Sequence, residues 1–488
     1  MKTRWYPVYG ISAVALTLGA CATQVPPALT VQFVPQTFVG QAPVSAQIWP
    51  RQDWWQGFGS PELSDLIAAA QANNRDLAVA AARVMEAHAQ TTIQRAVLFP
   101  QFNLQAQSQR TSVGGAQSIG GSNSPASNSF GLILGASYEV DVWGLARNNL
   151  RSAEETLKSA RFAQQGVALT VTANVANAYF SVLALRKRIA IANEEIAAIN
   201  GILETIKLKV STGKSSHLDL AQEQAQVEAA QAQLPSLEEQ ERESRISLAV
   251  LLGQLPETFE VSAQSSDDLH PPLVAPGLPS DLLLRRPDVA KAEANLASAH
   301  ANLDAARAAF LPQFALTGGS GFASTAVSAL LHGPSFAWDF GGTLLQTVFD
   351  GGKLIGQKDL AQATQKELMA SYQSAVLNAY ADVENALGQV RNSTRSESHL
   401  VLMIEAAREA FDISQLQYRQ GATDFITVLQ AQQTLFSAED QHAQTRLTRM
   451  QAVVHLYEAL GGGWIEDPND RTQLAVADDR GIATVHEN

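Results

Sequence analysis

The chain has 488 residues, of which 46% are hydrophobic but only 7% aromatic; its net charge is −13 and it holds one cysteine. The negative balance argues against a nucleic-acid partner, whose phosphates would be repelled. A lone cysteine excludes an internal disulfide. Abundant alanine with few aromatics suits slender helix packing rather than a bulky globular core.

Lys2 and Arg4 open the chain, a short apolar stretch runs from Ile11 to Leu18, and Leu18-Gly-Ala-Cys21 follows. A charged start, a short apolar run and small residues before a cut describe a secretory signal. A cysteine directly after the small pair resembles a bacterial lipobox, which implies that residues 1–21 are a lipoprotein signal and that Cys21 carries lipid. Ala22, where such lipoproteins can carry Asp, favours the outer membrane. No later stretch reaches the ~18 consecutive apolar residues of a membrane-spanning helix. If the chain crosses a membrane, it does so with strands.

Residues 22–60, with Pro26, Pro27, Pro35, Pro43 and Pro50, read as an extended tether. A first repeat spans 61–252. Helices are expected at 61–73 and 75–98, and Pro100 stops the second. The period then changes from 3.6 to 2. Phe102, Leu104 and Ala106 alternate with Gln101, Asn103, Gln105 and Gln107. After a Gly/Ser/Asn loop, Phe130, Leu132, Leu134, Ala136, Tyr138 and Val140 alternate with Gly131, Gly135, Ser137, Glu139 and Asp141. This hairpin, at 101–142, fits apolar-out transmembrane strands and equally a soluble hairpin with one wet face. A long helix over about 146–211 follows. Val175, Val182, Ile189, Ile196, Leu203 and Val210 recur every seventh residue, with Ala178, Leu185, Ala192, Ile199 and Ile206 three positions after. That is an aliphatic coiled-coil seam. Gly213 breaks it, the tip lies near 211–216, and a return helix starts near Ser216. Pro235 predicts a bend or break in that return.

A linker covers 253–286, and the pattern then repeats over 287–461. Asp76 matches Asp288, His88 matches His300, and Pro100-Gln101-Phe102 matches Pro312-Gln313-Phe314 without a gap. Val210-Ser-Thr-Gly213 echoes as Tyr418-Arg-Gln-Gly421. A spacing of about 210 residues is too long for a solenoid unit and marks duplication of a whole module. The second module has a hairpin at 313–349, in which Phe336, Trp338 and Phe340 alternate with Asp339 and Gly341. A helix over 354–419, a tip near 420–424 and a return from Thr423 complete it, and 462–488 form a tail. Four strands cannot close a barrel, and an open edge is not viable in lipid. Membrane-spanning strands would therefore require several copies to share one barrel; two would give eight strands and a filled interior, three would give twelve strands and room for a channel.

Four segments carry a family likeness. They are Trp54-Trp55 with Phe58-Gly59-Ser-Pro-Glu-Leu63; Leu278-Pro-Ser-Asp-Leu-Leu-Leu-Arg285-Arg286-Pro287-Asp288 with Ala292-Glu293; Phe349-Asp350-Gly351-Gly352-Lys353; and Val428-Leu-Gln-Ala-Gln-Gln-Thr-Leu435. In this order, with the duplication and lipobox, the chain resembles the TolC-type outer-membrane efflux proteins, in their NodT/OprM-like lipoprotein branch. The resemblance implies an α+β fold in which a homotrimer builds a 12-stranded outer-membrane β-barrel on a long periplasmic α-helical barrel. It implies a tripartite pump with a periplasmic adaptor and an inner-membrane transporter of the resistance–nodulation–division type, exporting drugs or other small toxic molecules. A type I secretion duct for polypeptides uses the same fold, and a non-transporting coiled-coil lipoprotein is the structural alternative.

The same resemblance places adaptor contacts at the tips: Ser211, Thr212, Gly213 and Lys214 in the first, and Gln420, Gly421 and Ala422 in the second. It assigns a periplasmic gate as well. Asp219 matches a gate carboxylate, and Tyr418 the tyrosine that bonds it. Thr423 stands where relatives have a gate arginine, and Thr427 and Gln430 where they carry acidic rings. A weaker electrostatic lock and less cation block follow from those substitutions. As a plain helix-start carboxylate, Asp219 is also accounted for by the helix dipole.

No enzyme constellation, cofactor motif or metal set is expected. Gly213-Lys-Ser215 looks like the end of a phosphate loop, but position 208 is Leu where that motif needs glycine. His88 and His300 read as packing or surface residues.

Overall fold

A computed structural model describes residues 51–112, 126–272, 282 and 285–462. The lipobox at Cys21, the tether before residue 51, most of the Leu278–Leu284 motif and the tail after 462 lie outside these residues. Each half of the chain runs helix, β-hairpin, long helix, tip, return helix. The first half comprises α1 (Pro61–Asn73), α2 (Arg75–Ala96), β1 (Gln101–Thr111), β2 (Ser127–Val140), α3 (Leu145–Ser211) and α4 (His217–Leu251). The second comprises α5 (Pro287–Ala308), β3 (Gln313–Ser324), β4 (Phe336–Leu345), α6 (Lys353–Gln420) and α7 (Phe425–Ala459).

The junctions show why the elements start where they do. Ser60 caps α1 by accepting from the Leu63 amide at 3.1 Å, with Pro61 at the first helical position. At each strand-to-long-helix junction an aspartate caps the new helix. Asp141 accepts from the amides of Ala146 (3.1 Å) and Arg147 (2.9 Å), and Asp350 from those of Gly352 and Leu354, both at 2.9 Å. Trp143 ties the halves together by donating to the Pro312 carbonyl at 2.8 Å.

The 67-residue α3 is roughly 100 Å long at 1.5 Å per residue. Its seam is buried at Val175, Val182, Leu185, Ala192, Ile199, Leu203 and Ile206. One 18-residue window of α3 reaches a mean hydropathy of 1.4, enough by composition to cross a membrane, although no unbroken apolar run was expected. Over half of that window is buried inside the protein, because the seam faces α4 and α7. The main core collects between the tips and the sheet. There Trp54 stacks on Tyr457 (4.8 Å between centroids), and Phe58, Leu63, Ile67, Phe180 and Leu252 are fully enclosed.

Of the bend or break expected at Pro235, the break does not occur: α4 is continuous through it. Pro235 lies on the exposed side, where water can satisfy the carbonyl its ring leaves free. On the opposite face Leu237 is buried against Leu185 and Ala192.

The sheet is a single antiparallel meander, β1-β2-β3-β4, so the two hairpins pair with each other through β2 and β3. Its register sorts the side chains. Leu104 faces Leu134, Leu132 faces Phe322, Val140 faces Phe314, and Phe322 faces Phe336. One face therefore gathers Phe102, Leu104, Phe130, Tyr138, Leu316, Trp338, Phe340 and Leu344. The other gathers Gln101, Asn103, Gln105, Ser137, Thr317, Asp339 and Gly341. The apolar face is open: Phe102 is 68% exposed, and Trp338 and Phe340 are each 74% exposed. A soluble hairpin would bury its apolar face against a core; here the strands pack on one another, and among the described residues no other element covers Phe102, Trp338 or Phe340.

Candidate functional site

The two helix–turn–helix tips are built alike. In the first, the Gly213 amide donates to the Val210 carbonyl (3.0 Å) and the Lys214 amide to the Lys209 carbonyl (2.8 Å). In the second, the Gly421 amide donates to Tyr418 (3.1 Å) and the Ala422 amide to Gln417 (2.9 Å). These paired bonds close a helix through a left-handed residue, and Gly213 (φ 73°) and Gly421 (φ 78°) occupy it. Ser211, Thr212, Gly213, Lys214, Gln420, Gly421 and Ala422 are all exposed.

The return helices start with different chemistry. Ser216 and Asp219 form a reciprocal capping box. The Asp219 amide donates to Ser216 Oγ and the Ser216 amide to Asp219 Oδ2, both at 3.1 Å. Ser215 adds its hydroxyl to Asp219 Oδ2 at 2.7 Å. Partial burial pushes the Asp219 carboxyl up, but the bonds from Ser215 and Ser216 outweigh it and hold the carboxyl below its usual range. In the second tip the cap is Asp424, whose Oδ1 accepts from the Thr427 amide (3.2 Å) and hydroxyl (2.5 Å). Asp424 thus places a carboxylate one turn nearer the tip than Thr427. Thr423 is half-buried, and Thr427 and Gln430 are exposed.

Tyr418 joins the two tips of one chain. Its side chain is 6% exposed and packs near the Phe425 ring. Its hydroxyl lies 3.3 Å from Ser215 Oγ. Tyr418 and Asp219 are therefore linked through Ser215, where the family likeness implies a direct bond. Lys209 completes the clasp, with Nζ 3.6 Å above the Tyr418 ring and donating to the Tyr418 carbonyl. Burial, and then Lys214, lower the Lys209 ammonium's pKa. Sequence reasoning missed Ser215, Lys209 and Asp424. The Ser216-x-x-Asp219 spacing announces the box, but no local pattern says that α6 brings Tyr418 beside Ser215.

Among the described residues no cluster of His, Cys, Asp and Glu could hold a metal ion. His88 is exposed, and His300 Nδ1 lies 2.7 Å from Gln365 Nε2.

Long paired helices ending in exposed tips, joined to a four-stranded sheet with an exposed apolar face, are the arrangement that the resemblance to outer-membrane efflux proteins implies. Comparison with known proteins makes this specific: the profile of the outer membrane efflux protein family matches residues 66–254 and 278–462, and the chain belongs to that family. It is 39% identical over 461 residues to the pyoverdine export outer membrane protein OpmQ of Pseudomonas putida, covering 94% of this chain and 97% of that one. It is 30% identical over 487 residues to the toluene efflux pump outer membrane protein TtgC of Pseudomonas putida, covering 95% and 97%. Among solved structures, the outer-membrane channel OprN superposes with a TM-score of 0.83 at 27% identity, covering 90% of this chain and 99% of that one. The open-state outer-membrane channel MtrE of Neisseria gonorrhoeae superposes at 0.80 and 28% identity, covering 89% and 96%. The chain is an outer-membrane component of an efflux system, and its family consists of transporters rather than enzymes.

Proposed function

We propose that three copies of this chain close their four-stranded sheets into one twelve-stranded barrel, and that the product is a passive exit duct for small molecules. The observation that carries this is the open apolar face: it is continuous across β1 to β4, and the outer edges of β1 and β4 are unpaired. Barrel closure by neighbouring copies satisfies those edges, and lipid covers that face. The polar and small residues then line a water-filled lumen continuous with a barrel of the long helices.

The exposed tips serve as the docking points for a periplasmic adaptor, which couples the duct to an inner-membrane transporter of the resistance–nodulation–division type. Cys21 carries the lipid anchor. Asp219, Ser215 and Tyr418 hold each tip closed, with Thr423, Thr427 and Gln430 leaving the mouth less charged. The similarity to a pyoverdine exporter and a toluene efflux component supports a small-molecule cargo.

The test is planar-bilayer conductance of the purified protein together with heat-modifiable oligomers on gels. Discrete ion-conducting steps from a trimer are expected; a monomer that never conducts overturns the proposal. Deleting the gene and profiling sensitivity to dyes, detergents, antibiotics and aromatic acids identifies the cargo class.

A further inference from the structure

The return helices pack through aliphatic stripes: Leu220, Val227 and Ala230 on α4, and Phe425, Val428, Leu429 and Leu435 on α7. Two polar residues interrupt them. Glu223 and Gln432 are each 0% exposed. Neither carboxylate oxygen of Glu223 and neither amide atom of Gln432 has a hydrogen-bond partner. An ionised carboxylate in such a place is strongly disfavoured, and the group escapes the cost by keeping its proton.

The charged neighbours do not relieve it. Asp219, one turn nearer the tip on the same helix, is itself an anion. Tyr418 on α6 supplies no positive charge; burial pushes its hydroxyl up. The Lys209 ammonium on α3 is engaged by the Tyr418 ring and carbonyl. Helix α7 has no ionisable residue between Asp424 and Glu439. Gln432 cannot titrate, so the response to protons falls to Glu223. Burial pushes its carboxyl up to about 7.

We propose that Glu223 is a proton-sensing element of the periplasmic tip, protonated while α4 is packed against its neighbours and ionised when the return helices separate and water reaches it. The proposal rests on the gate assignment above and adds its regulation. The sign follows from linkage. The raised value belongs to the packed tip, whereas a wetted carboxyl titrates near 4.5. The packed state is therefore fully favoured below about 4.5, loses that advantage as pH rises to about 7, and is indifferent to pH beyond it. Between pH 5.5 and 7.5 the open-to-closed ratio of one tip rises on the order of twentyfold.

The experiment is open probability in planar bilayers from pH 5.5 to 7.5, for the full-length protein and for Glu223→Gln, which keeps the shape of the neutral form. The wild type is expected to open as pH rises, and the variant to stay near the wild-type acid value throughout. A variant with the wild-type slope, or a wild type without a slope, overturns the proposal. Infrared spectra of the wild type supply a second readout that needs no variant. A protonated-carboxyl band must disappear between pH 6 and 8, and its absence overturns the proposal. A wild type that never conducts would instead defeat the channel assignment, and the infrared band would still decide Glu223.

Discussion

Replacing Ser215 by Ala removes one hydroxyl that serves two partners. It donates to Asp219 at 2.7 Å and lies 3.3 Å from the Tyr418 hydroxyl. A bond to a charged acceptor contributes about 1.5–3 kcal/mol and a neutral one about 0.5–1.5. Ser215 and Asp219 are only half-buried, so solvent discounts the first figure, and the second bond is long. About 1–2 kcal/mol per chain remains. If these contacts exist only in the closed tip, Ser215→Ala raises the open-to-closed ratio about 5- to 30-fold for each tip. The neighbouring Ser216→Ala is the control. It removes the helix cap at about 0.5–2 kcal/mol without touching Tyr418, so it loosens the tip but leaves the link between tips. Single-channel open probability of Ser215→Ala, Tyr418→Phe and the double variant forms a double-mutant cycle. The two single effects should fail to add, because both remove the same Ser215–Tyr418 contact. Strictly additive effects, or single variants that open no more than the wild type, would refute the clasp.

Phe340→Arg, in the middle of β4, puts a charge on the open apolar face and should cost about 2–4 kcal/mol at mid-bilayer depth, seen as loss of heat-resistant oligomers. Asp339→Asn on the opposite face should assemble normally. Phe58→Ala empties a fully enclosed site beneath Phe180 and should destabilise the chain by about 3–5 kcal/mol, read by thermal melting of the detergent-solubilised protein. Asp219 has a depressed carboxyl in the folded tip. Its contribution is therefore present above its ordinary value near 3.8 and lost as pH falls through the lower folded value. Hydrogen exchange at the start of α4 should accelerate in strong acid, and Asp219→Asn should abolish that acceleration.

Periodicity and punctuation act within a few residues, and those features were legible in the chain. The change from a helical period to alternation after Pro100 marked β1, and the seven-residue recurrence from Val175 marked the α3 seam. Gly213 and Gly421 marked the tips, and the match between the halves supplied the module twice. Pro235 does not interrupt α4, since it faces outward while Leu237 on the other side packs against α3. The alternation could not distinguish a membrane strand from a soluble hairpin, because both have one apolar face. The register across β1 to β4, with Trp338 and Phe340 exposed among the described residues, and the match to outer-membrane channels favour the membrane strand. The clasp was likewise beyond local pattern. Lys209, Ser215 and Tyr418 are brought together because α3 and α6, two helices about 100 Å long that both run from the sheet to the tips, end side by side, and Glu223 became unusual only when the surrounding helices enclosed it without a partner. Local chemistry specifies where the chain turns, whereas contact between its distant halves decides which polar groups meet and which are left alone.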